Sequence, residues 1–157
     1  MKFEYRSLIE FMTNISVVCP KCGSKAQVTS SYISVWKASF ICTSCLSHRV
    51  WDGNTSSFVT AHSNYDRYEG ILSGPAVDSF FRYPLWYQSE YKGEVLYAYN
   101  LTHLSWLKQY LGAMLRERIQ TPHGWSNQSL QSRLPQWMLS AKNRDTIIKK
   151  IVALEKT

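Results

Sequence analysis

Two pairs of cysteines constrain this chain more than any other feature. Cys19 and Cys22 form the first pair, Cys42 and Cys45 form the second, and 19 residues lie between the pairs. With two residues between its cysteines, each pair can form a tight turn that directs both thiolates toward one ion, and two such turns complete a tetrahedral site. The spacing therefore predicts a four-cysteine metal site on adjacent hairpins, with zinc as the expected ion.

Two other uses of the cysteines stay open on the sequence alone. Iron can occupy the same four-thiolate arrangement in a rubredoxin-like site. Disulfide pairs would suit a secreted chain, but charged residues in the first turn, from Lys2 to Arg6, leave no apolar signal segment there. Four cysteine ligands leave no open coordination position for water, so we expect a structural metal. With all four cysteines assigned to it, a reducing cytoplasm is the expected compartment.

Alternating apolar residues predict a small sheet around the cysteines. Strands are expected over 15–18, 26–31, 34–41 and 47–51, after a short helix at 7–13. We interpret residues 1–52 as a zinc ribbon with an N-terminal extension. Few large apolar side chains occur in it, so the ion is expected to supply much of its folding free energy. Gly23, directly after the first cysteine pair, is expected to adopt a left-handed conformation.

Residues 53–157 are predicted to form a β-hairpin plus a helical domain. Two strand-like segments flank a turn that contains Gly93. From residue 100 the apolar spacing becomes helical, and the predicted buried stripe is Leu101, Leu104, Leu107, Leu111, Met114 and Leu115. The segment 132–135 is expected to open a second helix, with Pro135 in its first turn. This helix is expected to end at Asn143, and a third helix to cover 145–155. The fold class is therefore α+β: an N-terminal four-cysteine zinc ribbon and β-hairpin followed by a three-helix C-terminal part.

Several segments resemble a bacterial protein family. They are Gly-Pro-Ala-Val-Asp-Ser-Phe-Phe-Arg-Tyr-Pro-Leu-Trp-Tyr-Gln at 74–88, Gly-Glu-Val-Leu-Tyr-Ala-Tyr-Asn-Leu-Thr-His-Leu at 93–104, Leu-Arg-Glu-Arg at 115–118 and Arg-Leu-Pro-Gln-Trp-Met-Leu-Ser-Ala-Lys-Asn-Arg-Asp at 133–145. With the ribbon they are similar to zinc-ribbon proteins of the transcription-factor-IIB type. The resemblance covers most of the chain and implies the same ribbon and helical part. It implies no reaction, because a shared fold does not establish a role. Members of that family often carry further cysteines where this chain has residues 89–92, so a second metal site is not expected.

The charge of the chain is unevenly distributed. The formal net charge is +7, and residues 101–157 hold nine Lys and Arg against three Asp and Glu, whereas residues 1–100 hold nine against eight. A metal ion with four thiolates would lower the total to about +5. A basic C-terminal part suits an anionic partner such as nucleic acid or an acidic protein surface. The alternative is an ordinary solvated helix face.

The junction between the second and third predicted helices is the best candidate for partner binding. Backbone N–H groups at a helix start, together with Lys142 and Arg144, can hold a phosphate or a carboxylate. In the alternative, Asn143 caps a helix and Arg144 pairs with an acid of the same chain. The full candidate set is Lys142, Asn143, Arg144, Lys149, Lys150 and Arg133, with Lys21, Lys25 and Lys37 of the ribbon as a second line of contacts.

No catalytic residue is predicted. The sequence contains no G-x-S-x-G, H-E-x-x-H or phosphate-loop motif, and its four histidines, at 48, 62, 103 and 123, stand at no ligand spacing. Asp78 and Glu94 are isolated carboxylates with expected turn or strand roles. We therefore predict a non-enzymatic zinc-ribbon protein, and the uneven charge favours contact with nucleic acid through a basic C-terminal helical face.

The alternative function is a protein-interaction module, such as an immunity- or antitoxin-like partner or an adaptor. An aromatic or arginine anchor such as Trp125 or Arg133 would then dominate the interface. No membrane partner is expected, because no apolar run has the length of a membrane span. No small-molecule substrate is evident either.

Overall fold

The computed structural model describes residues 8–32, 36–51, 76–113 and 134–157. Within these ranges the fold is α+β, as predicted: a four-stranded antiparallel sheet that carries the cysteines, then a two-stranded sheet and helices. The elements are α1 (Leu8–Phe11), β1 (Asn14–Val18), β2 (Lys25–Tyr32), β3 (Trp36–Ile41), β4 (His48–Trp51), β5 (Tyr87–Tyr91), β6 (Glu94–Ala98), α2 (Leu101–Ala113), α3 (Gln136–Leu139) and α4 (Ala141–Leu154).

Alternation of apolar residues gives the ribbon sheet one buried face. The strands pair in the order β1-β2-β3-β4, and Val28 lies opposite Ile15 on one side and Phe40 on the other. These three side chains are at most 1% exposed. They form a row across the sheet, which is the arrangement that β-branched and aromatic residues favour. The four strands predicted for the ribbon are confirmed, with ends that agree to within two residues.

The segments that flank the β5–β6 hairpin, residues 84–86 and Tyr99, form hydrogen bonds with the free edge of β1. Trp86 N–H donates to Ser16 O at 2.9 Å, Val18 N–H donates to Pro84 O at 2.8 Å, and Ser16 N–H donates to Tyr99 O at 2.7 Å. Buried residues of the ribbon, the hairpin and the helices consequently belong to one apolar cluster. The domain boundary expected between residues 52 and 53 lies outside the described residues.

Helix α2 buries most of its predicted stripe. Leu104, Leu107 and Leu111 are fully buried, but Leu101 is 48% exposed, so its assignment to the stripe is wrong. The buried face is rotated toward His103 and Trp106, which leaves Leu101 outside it. Met114 and Leu115 lie outside the described residues.

The boundary between the last two helices differs from the prediction. Ser140 has an extended backbone, with φ −62° and ψ 125°, and α4 already begins at Ala141. The expected end of a helix at Asn143 is therefore wrong. Asn143 Nδ2 donates to Trp137 O at 2.9 Å, and its Oδ1 accepts from Tyr91 O–H at 2.8 Å. This side chain ties the first turn of α4 to α3 and β5 instead of ending a helix.

A buried histidine couples the stability of this fold to pH. His103 is fully buried, stacks on Phe11 with ring centroids 4.6 Å apart, and accepts Tyr99 N–H on Nδ1 at 3.2 Å. Burial lowers the pKa of His103 to about 3. The unfolded chain protonates this group below about pH 6.5, whereas the native state does not. The stability of the fold therefore suffers no loss from His103 above that pH. As the pH falls from about 6.5 toward 3, protonation of His103 in the unfolded chain progressively lowers the free energy of unfolding.

We expect the His103→Gln variant to lose stability less steeply than wild type between pH 7 and pH 5. The difference in slope should be about 1.4 kcal/mol per pH unit below the unfolded-state pKa. Equilibrium unfolding of the two metal-loaded proteins at both pH values measures it. The acid sensitivity of the cysteine cluster is common to both proteins, so equal slopes would show that His103 titrates alike in the native and unfolded states.

Candidate metal centre and adjoining cleft

The four cysteine Sγ atoms lie within 4.8 Å of one another. The Sγ atoms of Cys19 and Cys45 are 3.6 Å apart, and so are those of Cys22 and Cys42. Tetrahedral zinc with bonds of about 2.3 Å separates its sulfur ligands by about 3.8 Å, whereas a disulfide bond measures about 2.05 Å. The cluster thus fits one metal ion, as the spacing predicted. Each close pair combines cysteines from different turns, so one ion would join both.

Backbone hydrogen bonds form the two cysteine turns, which we call the first knuckle (residues 19–24) and the second knuckle (residues 42–47). Cys19 N–H donates to Ser24 O at 2.8 Å, and Cys42 N–H donates to Ser47 O at 2.9 Å. Gly23 has φ +74°, as predicted. Leu46 takes the equivalent position in the second knuckle with φ +61° and is 84% exposed. A left-handed leucine costs about 1–2 kcal/mol, which the rest of that knuckle must offset.

The surroundings of the cysteines in the two knuckles shift their thiol pKa values in different directions. The side-chain and backbone hydrogen bonds of Ser47, whose hydroxyl lies 3.0 Å from Cys45 Sγ, lower the pKa of Cys45 to about 6. Hydrogen bonds from Ser24 lower the pKa of Cys22. At Cys42 the backbone N–H of Cys45 favours the thiolate, but burial and the neighbouring cysteines together raise its pKa to about 11. Binding of a cation therefore displaces protons from the cluster, so the affinity for the cation should decrease as the pH is lowered.

The donor set is suited to a soft metal with a closed coordination shell. Four thiolates at tetrahedral spacing favour zinc or iron over magnesium or calcium. Cys19 and Cys42 are buried, Cys45 is half-buried and Cys22 is exposed. His48 is exposed on β4 and is not part of the cluster, in line with its expected role as a ribbon surface residue.

An open cleft of about 350 Å³ adjoins the first knuckle. Its lining consists of Pro20, Lys21, Phe40, Ser47, His48, Arg49 and Tyr83. Arg49 Nη1 donates to the Tyr83 hydroxyl at 2.7 Å, and its guanidinium carbon lies 5.8 Å from the centre of the Phe81 ring. The Phe40 and Tyr83 rings meet edge to face at 5.1 Å. Sequence reasoning missed Arg49 and Tyr83, which are separated by 33 intervening residues.

Asp78 shapes the wall of this cleft. Its Oδ1 accepts the N–H groups of Phe80 at 2.9 Å and Phe81 at 2.8 Å, and its Oδ2 accepts that of Tyr83 at 2.6 Å. The carboxylate is fully buried. The expected turn role of Asp78 is confirmed, and the turn holds Tyr83 against Phe40.

Residues 1–100 are nearly neutral as a whole, but the ribbon within them carries an excess of cations. Residues 11–51 contain the cations Lys21, Lys25, Lys37 and Arg49 and no Asp or Glu. Lys21, Lys37 and Arg49 are exposed. Lys25 is directed inward, where it donates to the Tyr87 hydroxyl with its Nζ 4.6 Å from the centre of that ring.

The C-terminal candidates divide into inward and outward groups. Arg144 is buried, and its Nη2 donates to Leu139 O at 3.3 Å, so its guanidinium is not presented to a partner. Asn143 is held by Trp137 and Tyr91, as described above. The described helix therefore does not present these two side chains as a phosphate site, and the hydrogen-bond acceptor of Arg144 is a carbonyl rather than an acid.

Three lysines in the C-terminal segment are exposed. Lys142 and Lys149 lie on α4, and Lys156 lies just beyond its end. They recur every seven residues, about 10 Å along the helix axis. Lys150 is half-buried and donates to Ser89 Oγ at 3.4 Å. Arg133 and Trp125 lie outside the described residues.

Comparison of the chain with models of known protein families, with curated proteins and with solved structures gives no match. The resemblance to ribbon proteins of the transcription-factor-IIB type therefore stays a prediction. Among the described helices, none combines the length and the apolar character that crossing a bilayer requires.

Proposed function

We propose that this chain is a non-enzymatic, zinc-dependent protein that binds nucleic acid. The observation that carries this proposal is the cationic excess of the ribbon: residues 11–51 hold four cations, three of them exposed, and no carboxylate, which leaves about +2 when a divalent ion with four thiolates is counted. Contacts between Lys or Arg and phosphates supply most of the affinity of non-specific nucleic-acid binding. A ribbon without acids offers such contacts with no repulsion from its own carboxylates.

Zinc is the metal that we propose for Cys19, Cys22, Cys42 and Cys45. Zinc has no redox chemistry and accepts tetrahedral thiolate ligands without geometric strain. Its contribution would be to join the two knuckles and to hold the ribbon folded. We propose membership of the transcription-factor-IIB-type ribbon family on the same grounds, together with the segments after residue 74.

Two exposed groups of cations would contact the phosphates. The ribbon group is Lys21, Lys37 and Arg49, and the helical group is Lys142, Lys149 and Lys156. Sequence preference should be weak, because within the described ranges no helix carries a set of exposed base-reading side chains.

Binding should weaken steeply with salt. We expect log K to fall linearly with log salt, and Lys149→Gln to lower that slope by about 0.7–0.9, the value of one phosphate contact. Lys92→Gln is the matched control, because Lys92 is exposed but lies in the hairpin turn between the exposed acids Glu90 and Glu94. Titration of the metal-loaded protein with single- and double-stranded DNA and RNA at several salt concentrations measures the slopes. Absence of binding at tens of micromolar protein with the metal intact would overturn the proposal.

A second candidate function is protein interaction, for example with an immunity- or antitoxin-like partner or as an adaptor. Ile41 is 50% exposed, Leu46 84% and Val50 68%. Since Ile41 lies opposite His48 and Ser39 lies opposite Val50, Ile41 and Val50 are diagonal neighbours on the outer face of β3 and β4. Exposed apolar groups of this kind suit a protein surface rather than phosphates. Affinity capture with and without nuclease separates the candidates, because only a protein partner survives nuclease and is lost with Leu46→Ser.

A further inference from the structure

We propose that the cleft beside the metal centre is a phosphate-binding site that takes one nucleotide unit of a single-stranded nucleic acid. This inference rests on the proposed function, since it supposes that nucleic acid is the ligand. It adds a site, a mode of binding and a preference between single and double strands.

The rim of the cleft carries cations and hydrogen-bond donors and no carboxylate. Lys21 and Arg49 are exposed there, and Ser47 and His48 complete the polar lining. Arginine presents five N–H donors in a planar fork, which suits a phosphate, and lysine adds a mobile point charge. Charge-assisted hydrogen bonds of this type are the strong ones in phosphate recognition.

Arg49 is held in place before any ligand binds. Its Nη1 donates to the hydroxyl of Tyr83 at 2.7 Å, and Tyr83 is only 9% exposed. Tyr83 is fixed in turn by its own N–H, which donates to Asp78 Oδ2 at 2.6 Å. A guanidinium positioned in this way loses less side-chain entropy on binding than a freely moving one. The Asp78 turn is thus a positioning element of the site.

The shape of the cleft favours a single strand. Its accessible apolar lining is the exposed Pro20, because Phe40 is only 1% exposed, and Pro20 adjoins the cationic side chains in an open, concave space of about 350 Å³. A duplex keeps its bases stacked inside, whereas an unpaired nucleotide can place its phosphate at the cations and its base or sugar against the apolar lining.

Both knuckles contribute to the cleft, so it should depend on the metal. Pro20 and Lys21 lie between Cys19 and Cys22, and Ser47 belongs to the second knuckle. An ion that joins the knuckles would fix these two walls relative to each other. Removal of the ion should therefore abolish binding in the cleft.

The test uses the metal-loaded full chain and three probes: inorganic phosphate, a thymidine dinucleotide with a 5′-phosphate, and the same dinucleotide without it. We expect the phosphorylated dinucleotide to shift the backbone amide resonances of Lys21, His48 and Arg49 in heteronuclear NMR spectra, and to bind more tightly than either other probe. Arg49→Gln should weaken it about tenfold or more, since a charge-assisted contact is lost. Tyr83→Phe, which keeps the ring but frees Arg49, should weaken it less, and Lys92→Gln should leave it unchanged.

The outcomes separate this inference from the proposed function. Equal binding of inorganic phosphate and the dinucleotide in the cleft would overturn the single-strand assignment. Longer oligonucleotides that bind without shifting the cleft residues, and with equal affinity for wild type and Arg49→Gln, would overturn the cleft site and leave the proposed function standing. If no oligonucleotide of any length binds, the proposed function fails. Native-like spectra of each variant ensure that a loss of binding is not a loss of fold, and Lys21→Gln provides a second variant at the rim.

Discussion

Replacing Cys42 by serine is expected to remove the metal and to unfold the ribbon. Cys42 is fully buried, with its Sγ 3.6 Å from that of Cys22. A serine hydroxyl stays protonated at neutral pH and cannot replace a thiolate ligand. Structural zinc contributes about 10–16 kcal/mol of apparent binding free energy at pH 7, which is comparable to the whole stability of a typical domain. The effect should therefore be larger than that of any single packing change.

Elemental analysis and NMR measure this result together. Wild-type protein purified under reducing conditions should hold one equivalent of zinc and show dispersed ribbon resonances, and Cys42→Ser should lose both. Ser44→Ala is the matched control, because Ser44 is exposed in the same knuckle and its substitution keeps all four cysteines. Less than about half an equivalent of zinc in the wild type would contradict the assignment, given the tight binding expected of such a site. Iron in its place would establish the rubredoxin-like alternative.

Local spacing explains why the cysteine cluster was predictable. Two cysteines separated by two residues reach one ion through a single turn, and alternating residues place Val28 and Phe40 on the same buried face. Such features depend on chain geometry over a few residues, so the sequence predicted the clustering of the four cysteines, the ribbon strands and the left-handed Gly23. Leu46 has no comparable signal, because leucine rarely adopts a positive φ.

Contacts between distant segments explain what the sequence could not predict. Asn143 was expected to end a helix, yet it lies within α4, where its side chain forms hydrogen bonds with Tyr91 and Trp137. Arg144 was expected to bind phosphate, yet its tertiary surroundings bury it. The cleft depends on Arg49 meeting Tyr83, which no short motif encodes. Only the absence of acids from residues 11–51 was a usable signal for it.

The second large effect is expected from Leu111→Ala in α2. Leu111 is fully buried, and α2 packs against both α4 and β6 in the shared apolar cluster. Removing its branched side chain loses transfer free energy and leaves a cavity between elements that cannot fully close around it. The unfolding free energy should fall by about 2–5 kcal/mol.

Leu101→Ala gives this prediction a matched control. The same substitution on the same helix removes a side chain that is 48% exposed, so it should change the unfolding free energy by no more than about 0.5 kcal/mol. Denaturant unfolding of the metal-loaded proteins at the same metal concentration, followed by circular dichroism, measures both differences. If both variants lose the same amount, helix propensity rather than burial sets the cost. A Leu111→Ala change below about 0.5 kcal/mol would instead contradict the packing of α2 on the hairpin, because a surface position gives a change of that size.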